Sequence, residues 1–216
     1  PLEPGMGYQL LGYGPTNTDE ELTIRLPKPD TYYSYYLFYG RLSEEKGIKT
    51  LIQAMKQFPN LKLKIVGTGP LEDELKQFCV DNKLEDVEFL GFKSGDELFD
   101  LVRRAKFTCV PSEWYENNPM TIIESYTLRT PVIGAAIAGI TEIVDDGNTG
   151  YLFESGNVDS LVEGIKKSAE ISKDDYIKMR DNADEFADEN VDKEKITAKV
   201  EHGILKIVLP KMSHAE

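Results

Sequence analysis

The chain has 216 residues, 40% of them hydrophobic, which suits one domain, or one domain with an appendage. Its 38 Asp and Glu outweigh 25 Lys and Arg, for a net charge of −13. That argues against a general nucleic-acid binder, since no basic surface is evident to release counterions from phosphates. His202 and His214 stand near the C-terminus without metal-ligand spacing, so no zinc site is expected. Cys79 and Cys109 fall in apolar settings and read as buried reduced thiols, consistent with cytosol. No apolar run is long enough to span a bilayer and no signal peptide is visible. A chain that begins with Pro1 rather than Met is expected to be a fragment or a processed product.

Residues 1–34 are rich in Pro, Gly, Thr and Tyr, and only Glu21 to Leu26 alternates like a strand. A linker or entry segment is expected there, because too little apolar surface is present to bury. The cluster from Tyr32 to Tyr36 reads as the packed start of a strand rather than a stacking platform. Tyr35 to Tyr39 is an apolar strand, followed by Gly40 to Gly47 and an amphipathic helix through Gln57. Lys62 to Val66 is the next strand, Leu71 to Asn82 a helix, and Val87 to Leu90 a third strand. Ser94 or Gly95 starts a helix running to about Lys106. Phe107 to Val110 is a buried strand closed by Pro111 and Ser112.

A helix is predicted to open near Pro119, where a missing amide hydrogen costs nothing, with Asn117 or Asn118 as cap. Pro131 ends it before a strand at Val132 and Ile133. Gly139 to Val144 reads as a short helix, Asp145 to Gly150 as a turn, and Tyr151 to Phe153 as a last strand. Three helices are expected at the end, over Val158–Ser172, Asp174–Glu189 and Val191–Val208. Strands alternating with helices at short intervals predict an α/β fold. The expected form is a Rossmann-like, doubly wound parallel sheet of about six strands with helices on both faces. Residues 35–172 form that domain, and residues 173–216 are C-terminal helices packing on it.

Gly40-Arg41-Leu42-Ser43-Glu44-Glu45-Lys46-Gly47 leaves a strand and opens a helix, where amide hydrogens and a positive helix end suit a diphosphate. It is neither a Walker A loop nor Gly-x-Gly-x-x-Gly. Taken alone it can also be read as a glycine turn with exposed basic residues. Glu116 and Glu124 are eight residues apart, one in a loop and one about a turn into a helix. Alone they are also two solvated helix-edge glutamates.

The two segments together carry a resemblance. Glu116-x7-Glu124 resembles the signature of family 4 retaining glycosyltransferases, and Gly-Arg-Leu-x-x-x-Lys-Gly is similar to that family's diphosphate loop. Val66-Gly67-Thr68-Gly69-Pro70, Phe89-Leu90-Gly91-Phe92, Ala138 to Ile143 and Asp146 to Phe153 resemble its further motifs, in the family's order. Agreement in order across residues 36–153 makes chance a poor explanation.

The resemblance implies the nucleotide-sugar-binding domain of a GT-B enzyme of hexosyltransferase type. Arg41 and Lys46 would then hold the donor diphosphate, Glu116 would contact the transferred sugar and Glu124 the ribose hydroxyls. Arg41, Lys46 and Glu116 are the expected catalytic residues. Gly40, Gly67, Asn117, Asn118, Met120 and Thr121 join the expected binding residues, with Phe92 and Lys93 against the base through backbone groups. Pro119 departs from the family's glycine, removes an amide donor and fixes φ. That departure falls among the residues whose contacts are carried over here, Asn117, Asn118, Met120 and Thr121.

The implied donor is a UDP-, GDP- or ADP-linked sugar, with no cofactor and no metal, since two cationic side chains take the place of magnesium. The implied acceptor is a glycan or lipid, in polysaccharide or glycoconjugate synthesis, and the N-terminal acceptor domain is expected to be missing. The expected place is the cytoplasm or the inner face of the membrane, with any peripheral membrane contact made through the missing domain. Two rival readings stand beside this one. The first is a non-catalytic nucleotide-binding or interaction module. The second is a sugar-nucleotide epimerase or oxidoreductase, disfavoured because no dinucleotide fingerprint follows any strand.

Overall fold

β1 (Tyr35–Tyr39) lies inside a six-stranded parallel sheet, and all five of its residues are buried. The structure is a computed structural model that describes residues 35–115 and 119–190 and the backbone of 197–201 and 204–208. The entry segment expected over residues 1–34 lies outside the described residues. After β1 come a 3-10 turn (Glu44–Lys46), α1 (Ile48–Met55), β2 (Lys62–Val66), α2 (Glu72–Asp81), β3 (Val87–Gly91) and α3 (Gly95–Arg104). Then follow β4 (Phe107–Val110), α4 (Met120–Thr127), β5 (Val132–Ala135), β6 (Gly150–Phe153), α5 (Val158–Glu170) and α6 (Lys173–Asn190). No described helix is long and apolar enough to cross a membrane.

The strand order is β3-β2-β1-β4-β5-β6, with every neighbouring pair parallel. The chain winds outward from β1 to β3, then returns to lay β4 on the other side of β1. This is the expected doubly wound, Rossmann-like α/β sheet. The reversal between β1 and β4 is a topological switch point, and open sheets take ligands in the crevice beyond such strand ends.

Alternation along β1 feeds two cores. Tyr36 and Phe38 pack with Leu51 and Ile52 of α1 and Leu161 and Ile165 of α5. Tyr35, Leu37 and Tyr39 pack with Val102 and Ala105 at the end of α3. A buried phenol gains from its ring only if its hydroxyl finds a partner. Each one does. Tyr35 donates to Leu101 O (2.7 Å), Tyr36 pairs with Ser168 Oγ (2.9 Å) and Tyr39 donates to Thr121 O (2.8 Å). The tyrosines at 35 and 36 are therefore strand core, as expected, and they pin helices on both faces.

α6 packs across α4. Tyr176, Met179, Ala183 and Ala187 enter the larger core, and Arg129 pairs with Asp181 and Asp184.

Two expected helices are not helices. Gly139 to Val144 is a run of turns, with Thr141 N bonding Ile137 O and Val144 N bonding Ile140 O. Its β-branched residues are poor helix formers, and Ile140, Ile143 and Val144 are buried in the core instead. In place of the third C-terminal helix, β7 (Thr197–Glu201) and β8 (Ile204–Val208) pair as an antiparallel ladder. Thr197, Val200, Ile204, Ile207 and Val208 favour strands, and Gly203 separates the two runs.

Candidate functional site

The loop after β1 is built on backbone contact. Gly40 N bonds Val66 O at 3.0 Å, Leu42 N bonds Thr68 O at 3.0 Å, and Leu71 N bonds Leu42 O at 3.1 Å. The Val66–Pro70 segment therefore lies directly against it. A β-carbon on Gly67 would fall 1.9 Å from Gly40 O, so only glycine permits that approach. Leu42 and Ser43 point into the protein, Arg41 is exposed and Lys46 is half-buried. Gly47, at φ 62°, ends the 3-10 turn and starts α1.

The loop after β4 is tied to the first at its base. Glu113 N bonds Glu45 O at 2.9 Å, and Thr50 Oγ1 donates to Glu113 Oε1 at 2.6 Å. Ser155, beyond β6, donates to Ser112 O at 3.1 Å. The loop then displays Trp114 and Tyr115 to solvent. Glu116, Asn117 and Asn118 lie outside the described residues. Pro119 is the residue before α4 rather than its first helical residue, with φ −72° and ψ 82°. Proline suits that place as well, because no intrahelical donor is lost.

Two hollows open at this edge of the sheet and share Tyr39 and Gly40. One, of about 200 Å³, lies over the switch point and is lined by Lys46, Cys109–Ser112, Pro119, Met120 and Thr121. The other, of about 520 Å³, is lined by Arg41, Thr68–Pro70, Phe92 and Lys93. Ligand clefts for small molecules commonly enclose roughly 300–1,000 Å³. The fold thus gathers Gly40, Lys46, Met120 and Thr121 at one hollow and Gly40, Arg41, Phe92 and Lys93 at the next. Gly67 stands behind the first loop as its brace. The Lys93 ammonium is bonded to Glu97, four residues along, so its charge is already partly answered.

Glu124 is half-buried on α4, beside the Tyr39 hydroxyl. Burial pushes its carboxyl above the usual range, and the Tyr39 hydroxyl works against that rise. Burial and the nearby Glu124 charge push the Tyr39 phenol well above its ordinary value, so it remains a donor. The Cys109 thiol in the smaller hollow is pushed up to about 12 by burial, which leaves it protonated and unsuited to attack. Sequence patterning placed Tyr39 only in a strand. Its position directly before Gly40-Arg41 was the one available sign of a place in the site.

The chemistry available is the capture of an anion next to a hydroxyl-rich group. The positive end of α4 and the cations Arg41 and Lys46 border the hollows. Glu124, an acceptor in the second turn of α4, lines neither of these two hollows.

The profile of the family described as Glycosyl transferases group 1 matches residues 20–189. An uncharacterized glycosyltransferase of Methanocaldococcus jannaschii is 37% identical over 133 residues, covering 62% of this chain and 37% of that protein. A putative colanic acid biosynthesis glycosyltransferase of Salmonella typhimurium is 28% identical over 145 residues, covering 62% of this chain and 36% of that protein. Among solved structures, Anabaena HepE in complex with UDP superposes with a TM-score of 0.66 at 27% identity. That match covers 72% of this chain and 44% of HepE. The chain thus spans less than half the length of each of these relatives.

Proposed function

The chain belongs to the glycosyl transferases of group 1, and from that premise we propose that it is the donor-binding domain of a retaining enzyme of GT-B type. The donor is a nucleoside diphosphate sugar. Arg41 and Lys46 bind its diphosphate, Glu124 accepts from the ribose hydroxyls and Glu116 contacts the transferred sugar. Asn117, Asn118, Met120 and Thr121 approach the phosphates and sugar from the start of α4, and Phe92 and Lys93 border the base. Gly40 and Gly67 let the phosphate loop lie close to its ligand. The observation that carries this reading is the meeting of the Gly40 loop and the start of α4 around one hollow at the switch point, with Lys46 in its lining.

In the reaction, the bond from the anomeric carbon to the diphosphate oxygen breaks and a bond to the acceptor oxygen forms on the same face. The acceptor proton passes to the departing phosphate. Arg41 and Lys46 stabilise the charge that grows there, which is electrostatic catalysis. The acceptor is a glycan or a lipid-linked glycan, a reading supported by the colanic acid relative. The UDP bound to HepE makes uridine the first base to try.

Calorimetric titration of UDP, GDP and ADP and their sugar conjugates tests the proposal. One base series should bind, with the conjugate at least as tight as the diphosphate. Absence of binding by all of them at millimolar concentration overturns it.

A further inference from the structure

Lys46 stands on the 3-10 turn between two points at which the loop after β4 grips the chain. Just before it, Glu45 O accepts from Glu113 N at 2.9 Å, and the Glu45 carboxyl accepts from Ser43 Oγ at 2.5 Å. Just after it, Gly47 lies so close to the Pro111 carbonyl that a β-carbon has no room. Lys46 N itself bonds Ser43 O at 3.2 Å. The backbone that carries the ammonium is therefore held before, at and after the residue.

One side chain closes the clasp. Glu113 Oε1 accepts from Thr50 Oγ1 at 2.6 Å, and a β-carbon on Gly47 would stand 3.2 Å from Glu113 Cγ. Thr50 is buried in the first turn of α1, whereas Glu113 is exposed on the loop after β4. A carboxylate thus reaches across to the positive end of a helix whose N-cap, Gly47, has no side chain to offer. With that end met from within the protein, the turn presents Lys46 to an incoming anion in the wall of the smaller hollow.

We propose that Thr50 and Glu113 are positioning residues for the donor: their hydrogen bond locks the loop after β4 onto the turn that carries Lys46, and so holds Lys46 in place for the diphosphate. The inference rests on the donor-binding reading above. A turn held at both ends presents its cation from one place, so less freedom is lost when the ligand arrives. The sign of the effect sets this role apart. Glu113 brings a negative charge to the rim of an anion site, so on charge alone its removal tightens nucleotide binding. Removal of a clasp that positions Lys46 weakens it.

The test is calorimetric titration with whichever of UDP, GDP and ADP binds tightest, at one pH and one salt concentration. The chains compared are wild type, Thr50→Val, Thr50→Ser and Glu113→Ala, with Thr50→Val also placed in Lys46→Ala and Arg41→Ala backgrounds. Thr50→Val and Glu113→Ala should each weaken binding about fivefold, less than the roughly tenfold or more that loss of the Lys46 bond itself costs. Thr50→Ser keeps the donor hydroxyl and should bind within about twofold of wild type. The Thr50→Val loss should persist in the Arg41→Ala chain, since Arg41 borders the other hollow, and vanish in the Lys46→Ala chain.

Tighter binding by Glu113→Ala would leave Glu113 a repulsive charge and overturn the inference. So would unchanged binding by Thr50→Val, or a Thr50→Val loss of the same size without Lys46, which marks a merely structural brace. No binding by the wild-type chain would remove the donor-binding reading itself, and the inference with it. Should Thr50→Val unfold, Glu113→Asp decides in the same backgrounds, because it keeps the charge and shortens the reach at an exposed position. It should weaken binding where Lys46 is present and not where it is absent, and binding equal to wild type overturns the positioning role.

Discussion

A β-carbon at Gly47 would stand 1.8 Å from the Pro111 carbonyl oxygen, so the loops after β1 and β4 meet through bare backbone. Glu113 N to Glu45 O closes the same seam. The two walls of the smaller hollow are therefore joined backbone to backbone, although Gly47 and Pro111 are 64 positions apart.

Gly47→Ala breaks that seam twice. Alanine is strained at φ 62°, and its methyl must push Pro111 away. A loss of about 1–3 kcal/mol in urea unfolding is expected, together with weaker nucleotide binding. A variant as stable as wild type would mean that the seam yields freely.

Arg41 and Lys46 border different hollows, so a diphosphate lying across both would meet one cation from each side. Replacing either with Ala should weaken nucleoside diphosphate binding by about 1.5–3 kcal/mol, the worth of a charge-assisted bond. Binding should also weaken with added salt, since an exposed cation such as Arg41 is screened. Unchanged affinity in both variants by calorimetry would remove the diphosphate assignment.

The sheet was legible because short, largely apolar strands alternate with helical stretches, the pattern of parallel βαβ units. The order of the strands, with its reversal after β3, was not read from the sequence. Harder to read were the contacts that join distant segments. Nothing in the spacing of Gly47 and Pro111 announces their touch, and Tyr39 looked like any strand residue because its hydroxyl partner is 82 positions away. The C-terminal hairpin was missed for another reason. Asp192 to Lys195 read as the solvated face of a helix, whereas Thr197 to Glu201 alternates with a period of two.

Glu124 offers a prediction that separates a binding residue from a structural one. Its folded-state carboxyl is raised by burial, so between the ordinary and the raised value the folded chain holds a proton that the unfolded chain has released. Stability then falls as pH rises from the ordinary carboxylate range through the raised value. Glu124→Gln removes this cost and should raise the melting temperature at pH 7, with no gain at pH 4. The same variant should bind free nucleotide more weakly. Glu116→Gln should leave free nucleotide nearly unaffected and weaken only the sugar conjugate. A Glu124→Gln chain that loses stability at pH 7 while binding normally would show the side chain to be structural.

Retaining transfer requires donor and acceptor held together, and such positioning supplies much of the rate. The described residues form one parallel sheet with its helices and a small hairpin, and the chain spans 37% and 36% of two of its relatives. Every residue proposed for a role here addresses the donor: cations for phosphate, Glu124 for ribose, Glu116 for sugar. The 216-residue chain by itself should therefore bind its nucleotide sugar and transfer none of it to a glycan or lipid acceptor above background. Adding an N-terminal Rossmann-like half from a relative, in cis or in trans, should restore transfer. Product release measured with radiolabelled donor checks both arms, and efficient glycosylation by the chain alone would place the acceptor site within these residues.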